Sequence, residues 1–328
     1  MNALADLIDS VMEATIAPSF SRAGFAVRQR LDRWAPTRSC DLAGRVVVLS
    51  GATSGIGFAT ARELLACGAT VEIIGRDRAR TKAAADRLQS AQTSRGRVNA
   101  LVADTGDLAA IASVSDDLRA RHAAIDVLIH NAGALTAKFG RSPQGIEQTV
   151  ASQVVGPFLL THRLRSALEA AVAGRVVLVS SGGMYSQPLS VNELEMTPHN
   201  YNGTTAYARA KRAQVSLNEM FPSRWAPTSV RFHAMHPGWA DTPGVQQALP
   251  TFRRLTRPFL RTAEQGADTL VWLASDETLP IAGTGQFWLD RRVRAIHKTA
   301  STRRADTQGE REALWDWCIE KTGSYLGR

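Results

Sequence analysis

The feature that most constrains this chain is a repeated alternation of short apolar runs with stretches of helical spacing. The runs are "RVVVLSGA" (45–52), "TVEIIG" (70–75), "RVNALVAD" (97–104), "IDVLIHNAG" (125–133), "GRVVLVSSGG" (174–183) and "SVRFHAMHPG" (229–238). Between the first two, "FATARELLACG" (58–68) repeats apolar residues at helical spacing and stops at Gly68. β-branched runs of this kind need cover on both faces. That predicts an α/β fold with a doubly wound parallel sheet and helices on both faces. "GTGQFWLD" (283–290) could add a last strand. Three regions differ in character: an arginine-rich helical leader (1–43), the alternating region (44–290) and a basic tail (291–328).

The first run leads straight into "SGATSGIG" (50–57), where Gly51, Gly55 and Gly57 are spaced GxxxGxG and a helix follows. Glycines let the backbone turn tightly and approach a ligand, and a helix N-terminus offers free N–H groups to a pyrophosphate. A glycine cluster alone is weak; one between the first strand and the first helix points to a dinucleotide. An acidic residue at the end of the second strand would bind the ribose 2′-hydroxyl of NAD(H). Here Gly75 is followed by Arg76, whose guanidinium suits a 2′-phosphate. This favours NADP(H). The plainer reading is an arginine at a loop, and Asp77 keeps an NAD(H) contact conceivable.

"SGATSGIG", "HNAG" (130–133), "VSS" (179–181), "YARAK" (207–211) and "PGWADT" (237–242) occur in the order and rough spacing of the short-chain dehydrogenases/reductases, which this chain resembles from residue 44 to about 290. "VSSGGMYSQ", "AYARAKRAQV", "MHPGWADTPGV" and "EQGADTLVWLA" extend the resemblance to one branch of that family. The resemblance implies a single-domain Rossmann fold and an enzyme that interconverts a carbonyl and an alcohol. It assigns Gly51, Thr53, Ser54, Gly55, Ile56 and Gly57 to the pyrophosphate loop. Asp104 and Thr105 fall to the adenine pocket, and Asn131, Ala132 and Gly133 to the adenosine ribose. Pro237, Gly238 and Thr242 fall to the loop at the nicotinamide end.

Hydride transfer to a carbonyl creates an alkoxide that needs a proton. Free tyrosine has a pKa near ~10. A lysine ammonium one turn after Tyr207, at Lys211, is expected to favour the phenolate and lower that pKa. In the family such a lysine also reaches the nicotinamide ribose. Ser181, the second serine of "VSS", would hold the substrate oxygen. The bland alternative is a surface Tyr–Lys pair. Tyr201 is a rival, but Thr205 stands four positions on. His233 and His236 read as packing histidines. Two positions depart from the family. Gln153 stands where an asparagine holds a water in the proton relay, and His130 replaces the first asparagine of "NNAG". Gln153 could displace that water or bend to preserve it. It also leaves open a second reading: a cofactor-binding sensor or scaffold with weak turnover or none.

The substrate is a small molecule, expected to be lipophilic. Met184, Tyr185 and Leu189 are candidate contacts. The segment 243–260, with Leu249, Phe252, Leu255, Phe259 and Leu260, is a candidate lid. The net charge of +9 favours acidic partners, but the arginines are dispersed and no basic run interleaves with aromatics, so nucleic acid is not expected. Nothing in the sequence specifies an oligomer. No run approaches the ~20 apolar residues of a membrane span, and Asp6 and Asp9 occupy a start where a secretory signal would be basic. The expected location is cytoplasmic. In the leader, Phe25, Val27, Leu31 and Trp34 alternate with Arg22, Arg28, Arg30 and Arg33, so residues 1–36 could touch an anionic membrane from one side. A helix packed over the domain is the favoured reading. Cys40, Cys67 and Cys318 lie far apart and are expected to be reduced packing thiols.

Overall fold

The computed structural model describes residues 3–91, 96–276 and 283–327. Three short helices come first: α1 (Ala3–Ala14), α2 (Ile16–Phe20) and α3 (Arg22–Leu31). The alternating region then gives β1 (Val46–Ser50), α4 (Gly55–Ala66), β2 (Thr70–Gly75), α5 (Arg78–Ser90), β3 (Arg97–Val102), α6 (Leu108–Arg121) and β4 (Val127–His130). After β4 come α7 (Gln148–Val150), a π-helical turn (Ala151–Val155), α8 (Gly156–Arg163) and α9 (Arg165–Ala170). The second half holds β5 (Arg175–Val179), α10 (Gly203–Arg224), β6 (Arg231–Met235), α11 (Pro243–Ala248), α12 (Pro250–Thr256), α13 (Ala263–Ser275), β7 (Gln286–Leu289) and β8 (Arg292–Val293). The chain closes with α14 (Ala300–Ala305) and α15 (Gln308–Thr322).

The strands form one eight-stranded sheet in the order β3-β2-β1-β4-β5-β6-β7-β8. All neighbours pair in parallel except β7 and β8, a hairpin that the sequence did not announce. Each of the seven apolar runs holds a strand. β1, β4 and β5 are almost wholly buried because helices cover both faces. On one face α4, α5 and α13 supply Leu64, Leu65, Leu88, Leu270 and Leu273. On the other, α6, α8 and α10 supply Leu108, Phe158, Leu159 and Leu217, and α15 adds Leu314, Trp315 and Cys318. Each leucine or phenylalanine among them stabilises the fold by about 1.5–3 kcal/mol relative to exposure.

The leader packs against the domain. Phe20 and Phe25 are buried, and Arg28 is wholly enclosed. Its guanidinium meets Asp9 at 2.6 Å and Asp290 at 2.7 Å. A buried arginine of this kind needs such partners to offset its lost hydration. Leu7 and Val11, by contrast, stay more than half exposed.

One expectation fails. Cys40 and Cys67 form a disulfide with their Cα atoms 5.6 Å apart, and Cys318 alone is a free, buried thiol. The reason is the β-α unit itself: α4 runs back along β1, so its end returns to the start of that strand. Leu42 N–H also donates to Cys67 O at 2.7 Å. A separation of 27 residues carries no sign of this return.

Candidate active site

The sheet order reverses between β1 and β4, and a crevice opens at the carboxyl ends of strands at such a point. Residues 50–57 leave β1 there, and residues 131–133 leave β4 beside them. Gly51 has φ +73°, and a Cβ on it would stand 2.7 Å from the Cα of Ala132. The two segments touch only because residue 51 has no side chain. Asn131 locks them, donating from Nδ2 to Ser50 O at 3.1 Å and Gly51 O at 2.9 Å. Ser50 Oγ accepts from the N–H groups of Asn131 and Ala132.

At the start of α4 the Ser54 side chain makes no capping bond, which leaves first-turn N–H groups around Gly55, Ile56 and Gly57 to meet an anion. A Cβ on Gly75 would lie 3.2 Å from the Thr53 methyl, so the loop abuts the end of β2. Arg76 projects there, exposed, with no ion pair among the described residues. Asp77 is occupied instead as the N-cap of α5, accepting from Arg80 N–H at 2.8 Å. Asp104 accepts from Gly106 N–H at 2.8 Å, and the Thr105 carbonyl lies against Gly156. Thr242 caps α11 and stands 3.3 Å from where a Gly55 Cβ would be. An uncapped helix start, a glycine cradle and an unpaired arginine at its rim are what a phosphorylated dinucleotide needs, so these residues fit one.

At the other end of the crevice stand Ser181, Tyr207 and Lys211. Ser180 and Ser181 part company: Ser180 is buried and donates to Lys211 O at 3.1 Å, while Ser181 is half-buried and accepts from Gly183 N–H. Tyr207 is half-buried on α10, one turn before Lys211, whose Nζ lies 5.3 Å from the phenol ring centre. Lys211 donates to Val179 O at 2.8 Å and to Gln214 Oε1 at 3.1 Å. Gln153 sits in the π-helical turn, a device that often marks functional positions. Its Nε2 donates to Ala134 O at 2.9 Å, while its buried Oε1 has no partner. A Cβ on Gly133 would be 3.1 Å from both that Oε1 and Lys211 Nζ.

The short chain dehydrogenase family model matches residues 45–251. The chain belongs to the short-chain dehydrogenase family. The branch that the sequence resembled is represented by human Dehydrogenase/reductase SDR family member 12, 37% identical over 79% of this chain and 80% of that one. Bovine Retinol dehydrogenase 12 is 33% identical over 86% of this chain and 87% of its own length. A crystal structure of a protein from Mycobacterium Paratuberculosis superimposes with a TM-score of 0.68 at 27% identity, covering 88% of this chain and 97% of that one. One from Beutenbergia cavernae, with bound NADP at low occupancy, has a TM-score of 0.61 at 28% identity, covering 78% and 97%.

Several expectations need correction. Burial, not the lysine, dominates the tyrosine: the Tyr207 phenol is pushed above its usual pKa, with Ser181 pulling the other way. Lys211 is itself pushed down to about 7 by burial. Met184, Tyr185 and Leu189 are buried, Met184 and Tyr185 on the turn Gly182–Ser186, with Tyr185 donating to Ala295 O. Of the lid residues, Phe252 packs on Trp239, Leu260 is buried, and Leu255 and Phe259 face outward. His130 turns from the crevice to Thr161 at 2.8 Å, and burial, helped by the Lys211 charge, lowers its pKa to about 3. Tyr201 is held by Thr136 and Thr149. His233 and His236 are packed, as expected: His233 accepts from Trp288, and His236 lies between Phe20 and Phe287.

Sequence reasoning missed Arg261, Phe20 and Gln214. Buried Arg261 bonds Pro237 O, Phe20 O and Asp290. Gly238, at φ +72°, admits it: a Cβ there would collide with the guanidinium and stand 2.7 Å from Phe20 O. Phe20 packs under Gly182 and edge-on to Trp239. One arginine among 39 Lys and Arg residues gives no signal for this.

Proposed function

We propose that this protein is an NADP(H)-dependent oxidoreductase that interconverts a carbonyl and an alcohol on a lipophilic small molecule. The observation that carries the reading is the convergence of Ser181, Tyr207 and Lys211 at one end of a crevice whose other end is the glycine cradle with Arg76 at its rim. When bound, the nicotinamide would give or take the hydride. Ser181 positions the substrate oxygen. Tyr207, kept protonated by burial, donates its proton as charge develops on that oxygen and recovers it in the reverse direction. Lys211 places a cation where a transient phenolate is stabilised, with Gln153 beside it. Gly51, Thr53, Ser54, Gly55, Ile56 and Gly57 would hold the pyrophosphate. Arg76 takes the 2′-phosphate, Asp104 and Thr105 the adenine side, and Asn131 to Gly133 the adenosine ribose. Pro237, Gly238 and Thr242 would face the nicotinamide end. Retinol dehydrogenase among the relatives supports a lipophilic substrate, as do the packed rings of Trp239, in the loop 237–242, and Phe252.

Calorimetric titration with NADPH and NADH tests the reading. NADPH should bind more tightly, and Arg76→Ala should erode the preference; tighter binding of NADH to the unmodified protein would overturn it. Turnover of ketones, aldehydes or alcohols that disappears in Tyr207→Phe would separate an enzyme from a silent cofactor-binding scaffold.

No helix among the described residues is long and apolar enough to cross a membrane. Cytoplasmic residence with peripheral membrane contact through residues 1–36 belongs to the same proposal. Exposed Leu7 and Val11 on α1 support the contact. Leu7→Asp with Val11→Asp should abolish binding to anionic liposomes without disturbing the buried Arg28 pairs.

A further inference from the structure

Lys211 is enclosed and has three ammonium protons to place. Val179 O takes one at 2.8 Å and Gln214 Oε1 a second at 3.1 Å. Gln214 lies one turn further along α10 and is only 2% exposed. Its Nε2 donates to the main-chain carbonyl of Gln153 at 2.5 Å. The carboxamide thus accepts at one end and donates at the other, between an ammonium and a carbonyl. A single buried water between polar groups makes the same pattern of bonds. The Gln153 side chain does not compete for this place, since its amide is turned to Ala134 O.

We propose that the Gln214 carboxamide stands in for a water molecule, positioning Lys211 against the Gln153 carbonyl and closing the lysine off from the protein interior. The inference rests on the role given to Lys211 above. Unlike water, a carboxamide has fixed donor and acceptor ends. It holds the lysine in one orientation, with the third proton left toward Gly133, and it opens no mobile path inward along α10. Gln214 is a positioning residue, acting through Lys211.

The titratable groups facing Lys211 are His130 from β4, which burial keeps neutral, and Tyr207 from its own helix. Val179 and Ser180 from β5 and Gln153 from the π turn do not titrate, and no ion pair among the described residues reaches the lysine. A change in its acceptor therefore reads out directly as a change in its charge.

The test is NADPH affinity by fluorescence titration from about pH 6 to about pH 9, for the unmodified protein, Gln214→Leu and Gln214→Ala. Leucine fills the slot but offers no bond, so the ammonium is less well held. The alkaline fall in affinity should begin about one pH unit lower, roughly tenfold weaker binding near neutrality. Alanine admits a water, which restores the acceptor, so it should lose less than leucine. If Gln214 only filled space, alanine would be the worse of the two, because it leaves the larger cavity. That order, or an unshifted profile in both variants, overturns the proposal. Crystal structures provide a readout that does not depend on cofactor. Gln214→Ala should show an ordered water between Lys211 Nζ and Gln153 O. A water already there in the unmodified protein, with the carboxamide displaced, would overturn the proposal. Failure of the unmodified protein to bind NADPH would instead sink the cofactor assignment, and the two crystal structures would still decide the role of Gln214.

Discussion

Arg261 donates from Nε to the main-chain carbonyl of Phe20 at 2.9 Å, across 241 residues of sequence. The same guanidinium reaches Ser19 O at 2.9 Å, Pro237 O at 3.3 Å and both oxygens of Asp290. One side chain therefore joins the leader, the loop expected at the nicotinamide end and the end of β7. Arg261→Met removes the cation and leaves Asp290 with fewer partners. The expected cost is about 3–5 kcal/mol, as for breaking a buried pair, together with weaker NADPH binding. Thermal melts and NADPH titration check both. Unchanged NADPH affinity in a folded variant would show that residues 237–242 hold their place without the leader.

Lys211 gives a second expectation, through pH. Burial lowers its pKa from the usual value to about 7, so the folded protein binds this proton less tightly than the unfolded chain does. The penalty is fully present below the folded pKa and disappears as pH rises toward the unfolded value near ~10.5, so stability should climb over that window. Lys211→Met has no such proton. It should be more stable at pH 7 and should lose part of the climb, by up to about 1.4 kcal/mol for each tenfold loss of proton affinity on folding. Denaturant melts at several pH values measure the difference. Parallel curves for the two proteins would mean that the lysine is not desolvated as its burial implies.

The Gln214 amide donates to the main-chain carbonyl of Gln153, so substitutions at the two positions should not add. Gln153→Asn withdraws the amide from Ala134 O, costing about 1 kcal/mol of stability. It does not by itself make room for a relay water, because Gln214 fills that place. The double variant Gln153→Asn with Gln214→Ala should differ from the sum of the single effects on turnover by more than about 0.5 kcal/mol. A double-mutant cycle on kcat, with any substrate found by screening, is the measurement. Strict additivity would separate the two glutamines.

The Cys40–Cys67 bond closes a loop that contains β1, the glycine cradle and α4. Cys40→Ser, or reduction, should cost about 3.5 kcal/mol on the loop-entropy account. Melts with and without dithiothreitol test this. Disulfides are rare in reducing cytosol, so alkylation of the protein in intact cells also tests the cytoplasmic placement. A quantitative yield of three free thiols would show that the bond is absent there.

Local pattern carried a good deal of this. β-branched runs apolar on both faces require a parallel sheet between two helical layers, and all seven anticipated strands are present, with β3 at the edge largely exposed. The glycine loop lies between a strand and a helix, so its place at the switch between β1 and β4 follows from the topology. The spacing of Tyr207 and Lys211 is one helical turn and needs no tertiary information. Distant contacts and dielectric surroundings left no such trace. The disulfide depends on α4 bringing Cys67 back to the start of β1. The pKa of Tyr207 and of Lys211 depends on how much water is excluded around them, which reversed the expected direction for the phenol. Arg261 and Gln214 act through carbonyls far away in sequence, and a carbonyl looks the same in every residue. The sequence by itself determined the sheet, the cradle and the reactive pair, because these follow from periodicity and short spacing. Only the tertiary structure decided which charges are desolvated and which backbone groups meet, because those depend on the segments that pack around them.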